Sequence, residues 1–105
     1  MLGAARREAL EETGWKVEPE AFLGMYRYQS PGNGRTYFRF CFAAKAIDHI
    51  SNKLDDGIIA AHWLTLEQIR ELGEQLRSPL VLECILDYRK GRRFPLDVIV
   101  EPDAD

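Results

Sequence analysis

Hydrophobic and polar residues recur with the period of a helix in three parts of the chain. Residues 4–13 are rich in Ala, Arg, Glu and Leu, which favour helix, and Gly14 follows as a residue suited to a left-handed helix end. Thr65 and Gln68 form the sequence of a capping box at the start of a short second helix. A Ser-Pro pair followed by an apolar stripe predicts a third helix over residues 79–90.

Apolar residues with the spacing of β-strands occupy much of the remaining chain. The predicted strands are residues 15–17, 22–29, 36–44, 58–64 and 95–100. Pro19 is expected to close the first, and a Pro- and Gly-rich turn joins the second and third as a hairpin. Alternation along the second strand places Leu23 on the same face as Met25, and residues 47–56 are predicted as a polar connection. Apolar side chains on both faces of the third predict a central strand covered on both sides.

Composition and charge indicate one small globular domain and exclude several classes of protein. The 105 residues are 46% hydrophobic and 30% charged, which is typical of a folded chain with a limited core. A net charge of −3 gives no bulk affinity for nucleic acid or for an anionic membrane surface. No apolar stretch reaches the length of a membrane span or of a signal-peptide core. Cys41 and Cys84 are predicted to be small buried residues, and a reducing cytoplasm fits them.

The candidate chemistry lies on the first predicted helix. At about 100° per residue, Glu8, Glu11 and Glu12 fall within one arc of the helix surface. Like charges at this spacing repel each other, and Arg7 offsets part of the repulsion through an i,i+4 contact with Glu11. Mg²⁺ takes oxygen ligands and keeps several waters, so it suits such an open set of carboxylates. From the glutamates alone, a solvated helix face stays open as the alternative.

Three strand residues are candidates for contact with a substrate. Arg39 lies between phenylalanines, where a cation seldom serves solubility, and it is predicted to hold a phosphate. Arg27 is the second candidate for the same role, and Tyr37 is a candidate for stacking on a base or pyrimidine ring. Core or edge packing stays open as the alternative for the tyrosine.

The segment Arg7-Glu8-Ala9-Leu10-Glu11-Glu12-Thr13-Gly14-Trp15 resembles the second half of the Nudix box. This resemblance implies that Glu8, Glu11 and Glu12 are catalytic and bind Mg²⁺, or Mn²⁺ instead, with Arg7 positioning them. It implies hydrolysis of phosphoanhydride bonds in a nucleoside di- or triphosphate or a similar pyrophosphate. The implied fold is α/β (α+β), a Nudix-type α/β/α sandwich with a mixed sheet.

Later segments extend the resemblance over most of the chain. Asp56, with Asp55 as the second choice, matches a family position that often supplies one more acidic metal ligand. Three stretches are similar to the phosphatase NudJ subgroup of the family: Phe38 to Ala43, Arg77 to Val81, and Tyr88 to Leu96. The implied partner is therefore a small nucleotide or pyrophosphate.

The resemblance also implies a missing part. The first glutamate of the box would fall before Met1, together with the first strands of the sheet, so residues 1–105 are expected to form a single partial domain. A misplaced start codon would explain this. Two alternatives to an active enzyme stay open. One is an inactive Nudix domain that binds ligand or forms a homodimer through exposed strand edges. The other is a small interaction module whose glutamate face binds a basic partner.

Overall fold

A computed structural model describes residues 1–76 and 78–101; Arg77, part of one of the similar stretches, and residues 102–105 of the acidic tail lie outside the described residues. Helices and antiparallel strands are both present, as the predicted α/β class requires. The elements are helix α1 (Leu2–Thr13), strand β1 (Trp15–Gln29), strand β2 (Thr36–His49), helix α2 (Leu66–Leu72), a 3₁₀ turn (Gly73–Gln75), helix α3 (Pro79–Arg89) and a second 3₁₀ turn (Leu96–Val98).

β1 and β2 form one long antiparallel hairpin, which is longer than the sequence predicts. β1 continues through Pro19, so the prediction of two separate strands there is wrong. Pro19 pairs with Ala44, and the register shifts between Pro19 and Ala21. Bulges are among the places where a sheet tolerates proline. β2 runs on to His49, so the polar connection predicted from Ile47 begins later than expected.

Bulges also change which side chains of β1 face inward. The pairing moves from Phe22–Phe42 directly to Gly24–Cys41, which leaves Leu23 as an extra residue without a partner. Leu23 is only 5% exposed, whereas Met25 is 55% exposed. The prediction that these two side chains share one face is therefore wrong, because strict alternation does not hold across a bulge.

α1 and α3 contact opposite faces of the hairpin. β2 is regular between Cys41 and Ala46, so the side chains of these residues point to opposite faces. The Cys41 thiol contacts Cys84 of α3, whereas Ala46 lines a cavity together with Ala9 of α1. The hairpin is therefore the middle layer between two helices, the arrangement that an α/β/α sandwich requires.

Two of the strands predicted after the hairpin do not form. Residues 58–64 have no regular secondary structure, and Ile59 is 98% exposed. In place of a strand over 95–100, the chain makes one antiparallel bridge between Phe22 and Phe94 and then a 3₁₀ turn. A strand needs a neighbour that completes its ladder of hydrogen bonds, and in the described chain β1 and β2 pair with each other as a two-stranded sheet.

The strand predicted as central is not covered on both sides among the described residues. Phe38 and Phe40 lie on the α1 face of β2 and are 56% and 43% exposed. Met25 pairs with Phe40 and adds to the same surface. Ala9 of α1 lines a cavity with Ala46, at the other end of this face. Met25, Phe38 and Phe40 therefore form an exposed apolar group, named here the hairpin patch.

Both predicted helix-start signals are confirmed. The Thr65 N–H donates to the Gln68 side chain at 2.8 Å, and the Gln68 N–H donates to the Thr65 hydroxyl at 3.2 Å. These two bonds complete the capping box of α2. The Ser78 hydroxyl accepts from the Leu80 N–H at 3.2 Å, and Pro79 follows it in the first turn of α3.

A side-chain hydrogen bond between Tyr26 and Asp87 joins β1 to α3. The Tyr26 hydroxyl donates to Asp87 Oδ2 at 2.7 Å, and burial together with this bond raises the pKa of Tyr26. Tyr26→Phe is expected to lower the free energy of unfolding by about 1–2 kcal/mol, because a charge-assisted bond is lost. Urea unfolding measures this loss. Tyr28→Phe, on the same face of β1, is the matched control, and an equal loss in the control would contradict the assignment.

Candidate active site

The site is organised by the end of α1. Gly14 has a φ of 78°, the left-handed conformation that ends a helix, and its N–H donates to the Leu10 carbonyl at 2.9 Å. Its own carbonyl accepts from the N–H groups of Ile50 and Ser51, at 2.8 and 3.2 Å. The segment that follows β2 is thus fixed to the end of α1 by backbone bonds.

A further backbone bond brings the acidic loop to the same helix. The Asp55 N–H donates to the Glu11 carbonyl at 2.9 Å, and the Asp55 carbonyl accepts from Ile58 at 3.0 Å to close the turn. Asp56, the predicted additional ligand, lies within this turn. The structure therefore brings Asp55 and Asp56 beside the glutamate-bearing end of α1.

The glutamates lie on the part of α1 that is turned away from the sheet. Ala9 and Thr13 line the cavity between α1 and the hairpin, whereas Glu8 and Glu12 are exposed and Glu11 is half-buried. The predicted contact between Arg7 and Glu11 is present, with 3.7 Å between Nε and Oε1. Within residues 1–76 and 78–101, no three His, Cys, Asp or Glu side chains are already gathered closely enough to form a metal cage.

This donor set fits a hard, partly hydrated cation. Glu8, Glu11, Glu12 and Asp56 offer carboxylate oxygens, which Mg²⁺ and Mn²⁺ accept. The exposure of Glu8 and Glu12 leaves room for water and for substrate phosphates in the remaining coordination positions. An open, one-sided arrangement of this kind is the one that Mg²⁺ ordinarily uses, whereas a structural zinc site is closed on all sides.

The predicted substrate residues are divided between the two faces of the hairpin. Arg39 pairs with Tyr26 and Tyr37 with Tyr28, which places both predicted residues on the α3 face. There Arg39 and Tyr37 line a cavity of about 560 Å³ near the start of α3. Arg27 pairs with Phe38 and lies on the opposite face, which α1 shares. Only Arg27 is therefore on the same side of the sheet as the glutamates.

Sequence reasoning missed an aromatic cluster beside α1. Trp15 lies 5.3 Å from His49 and 5.4 Å from Trp63, measured between ring centroids. The two tryptophans line a cavity of about 170 Å³ between α1 and the segment after the acidic loop. His49 is the last residue of β2. No signal in the sequence connects it to Trp15, because the contact depends on the register of the hairpin.

A salt bridge between α1 and β1 also escaped the sequence analysis. Arg6 Nη2 lies 2.7 Å from Glu18 Oε1, and Arg6 Nε lies 3.3 Å from Oε2. The hydrogen bonds from Arg6 lower the pKa of the Glu18 carboxyl. The pair is exposed, so its effect is to orient α1 on the hairpin more than to stabilise the fold.

The comparison with known proteins decides the family. Residues 1–84 match the model of the NUDIX domain. The chain belongs to the Nudix family. It is 36% identical over 101 residues to phosphatase NudJ of Escherichia coli, and equally so to phosphatase NudJ of Shigella flexneri, which confirms the predicted likeness to that subgroup. Each alignment covers 94% of this chain and 64% of the relative, so the chain spans about two thirds of the length of these Nudix proteins.

A solved Nudix structure confirms the fold. The NUDIX hydrolase from Nitrosomonas europaea superposes with a TM-score of 0.89 at 40% sequence identity. The match covers 95% of this chain and 68% of that one. The predicted Nudix-type sandwich is therefore confirmed. Among the described residues, no helix has both the length and the apolar character needed to cross a bilayer.

Proposed function

We propose that this Nudix chain hydrolyses a phosphoanhydride bond in a nucleoside di- or triphosphate, or in a similar pyrophosphate, with Mg²⁺ as the ion and Mn²⁺ as its substitute. The hydrogen bond from the Asp55 N–H to the Glu11 carbonyl carries the proposal. It ties the loop of Asp56 to the helix that carries Glu8 and Glu12, which supports a site built from two separate segments of the chain.

Each residue of the site has a role that its position supports. Glu11, Glu12 and Asp56 hold the ion, and the Arg7 guanidinium keeps the Glu11 carboxylate oriented. Glu8 is exposed and either completes the ligand set or accepts, at a carboxylate oxygen, the proton of the attacking water. When bound, the ion supplies a Lewis acid that polarises a phosphoryl oxygen and neutralises developing charge.

We propose that Arg27 contacts the substrate phosphates, because it lies on the α1 face of the hairpin. Arg39 and Tyr37 lie on the other face and line the cavity near the start of α3, where they hold a more distant part of the substrate or pack at the sheet surface. A net charge of −3 gives no bulk affinity for nucleic acid or for an anionic membrane, which favours a small-molecule substrate. The two free cysteines fit a reducing cytoplasm.

The test is release of phosphate or pyrophosphate from a panel of nucleotides, with Mg²⁺, with Mn²⁺ and with a chelator. The relatives are named phosphatases, so inorganic phosphate is the product to measure first. We expect release only with metal, and a melting temperature several degrees higher once the ion is well above its Kd. The Escherichia coli relative is the positive control. If neither ion changed the melting temperature, the result would instead favour the alternative in which the chain is an interaction module and its glutamates bind a basic partner.

The hairpin patch favours a second candidate, a ligand-binding or dimer-forming Nudix domain without catalysis. Met25, Phe38 and Phe40 are all exposed and adjacent, and grouped apolar residues of this kind often mark interaction surfaces. Sedimentation at several protein concentrations separates the candidates. The second candidate would be supported if the chain were a homodimer, if Mg²⁺ raised its melting temperature, and if it released no product from any nucleotide.

A further inference from the structure

The two cysteines are brought together by the fold on the α3 face. The Sγ atoms of Cys41 and Cys84 are 2.9 Å apart, although 43 positions separate the residues in the chain. Both thiols are free, with Cys84 buried and Cys41 half-buried. Cys41 comes from β2 and Cys84 from α3, so a small rotation of the side chains would join a strand to a helix.

We propose that Cys41 and Cys84 form a reversible disulfide when the chain meets a small disulfide oxidant such as glutathione disulfide. A cavity of about 330 Å³ is lined by both cysteines, with Leu23 and Tyr88 among its other residues. It gives a small molecule access to the sulfur atoms. Cys41 is the more accessible of the two and is the point at which the oxidant reacts first.

The thiol–disulfide exchange takes place in two steps. The Cys41 thiol loses its proton and attacks one sulfur of glutathione disulfide, which forms a mixed disulfide and releases one glutathione thiol. The Cys84 thiol then loses its proton and attacks the Cys41 sulfur, which forms the internal bond and releases the second glutathione. Two protein thiols are oxidised, one glutathione disulfide is reduced to two thiols, and the two protons pass to the departing sulfurs.

The surroundings of the pair make the exchange slow and selective. Burial, followed by the hydrogen bond with Cys84, raises the pKa of Cys41 to about 12. The thiolate, which is the reactive form, is therefore scarce at neutral pH. Once a mixed disulfide has formed, Cys84 is already in contact with the Cys41 sulfur, so closure of the internal bond is favoured over attack by a second protein chain.

The disulfide would stabilise the fold without changing the position of the carboxylates on α1. It closes a long loop of the chain, and such links restrict the unfolded state, so we expect the melting temperature to rise by roughly 10 °C. Cys41 faces α3, whereas α1 and its glutamates lie across the sheet. This inference does not depend on the proposed hydrolysis, and its test needs no activity.

The experiment treats the purified chain with glutathione disulfide and measures intact mass, free thiols and melting temperature. We expect the loss of two hydrogens, a peptide map that links Cys41 to Cys84, and reversal by dithiothreitol. Cys41→Ser is the control and is expected to show no rise in melting temperature, with its fold checked by circular dichroism. Two persistent free thiols, or a cross-link between chains, would overturn the proposal. The peptide map tests it in the unaltered chain even if a variant fails to fold.

Discussion

Glu12→Gln is expected to lower metal-dependent product release by roughly 100-fold or more while α1 stays folded. Glutamine keeps the size of the side chain but removes the negative charge and one carboxylate oxygen. Glu12 is exposed, so the change leaves no buried group without a partner. The rise in melting temperature with Mg²⁺ should also shrink, because one proposed ligand is weakened. Steady-state kinetics and a thermal scan with increasing Mg²⁺ measure the two effects.

Glu71→Gln is the matched control for this variant. Glu71 is an exposed glutamate on α2, far along the chain from the carboxylate helix, and its replacement removes the same charge. We expect activity within about twofold of the parent, as is usual for a surface substitution away from a site. Equal losses in both variants would show a general effect of charge and would remove Glu12 from the site.

Gly14→Ala is expected to destabilise the chain by about 3 kcal/mol. The residue has a φ of 78°, which a side chain disfavours, and a Cβ there would overlap the carbonyl oxygen of Ser51. Because that oxygen belongs to the backbone, no rotation of a side chain relieves the overlap. The end of α1 and the segment after β2 must separate. Urea or guanidinium unfolding measures the loss.

Gly34→Ala separates conformational strain from overlap. Gly34 has a similar φ of 71° in the hairpin turn, but a Cβ there meets no atom within 4 Å. We therefore expect a loss of only about 1–2 kcal/mol, the cost of the left-handed conformation alone. If the two variants lost equal stability, the close approach between Gly14 and Ser51 would have no energetic role. Product release should fall further in Gly14→Ala, since the Asp55 loop follows that contact.

The helices and their ends were predictable because their signals are local. The capping box of Thr65 and Gln68 and the cap of Ser78 each lie within one turn of the helix that they begin. The hairpin was predictable from the Pro- and Gly-rich turn that joins its two strands. The carboxylate face needed only the helical period. The family was indicated by the resemblance of residues 7–15 to the Nudix box, and the match to the Nudix model and the structural likeness confirm it.

The failures all concern contacts between distant segments. Nothing near Leu23 in the sequence shows the bulge that turns it inward, because a bulge is set by pairing with β2. Residues 58–64 have the composition of a strand, yet a strand also needs a neighbour to pair with. The register of β1 against β2 also decides that Arg27 and Arg39 lie on opposite faces. It likewise places the Cys41 thiol on the face that contacts Cys84.

The bulges of β1 set a condition on how its length can vary. Each of the two bulges adds one residue to β1 and none to the facing part of β2. The first bulge therefore moves the side chains that follow it to the opposite face of the hairpin, and the second moves them back. Val17 and Met25 consequently face the same side of the hairpin, with Leu23 turned into the core between them. A relative that lost one of the two extra residues would present the wrong side chains to both helices beyond that bulge. Insertions and deletions in this strand should therefore survive in compensating pairs.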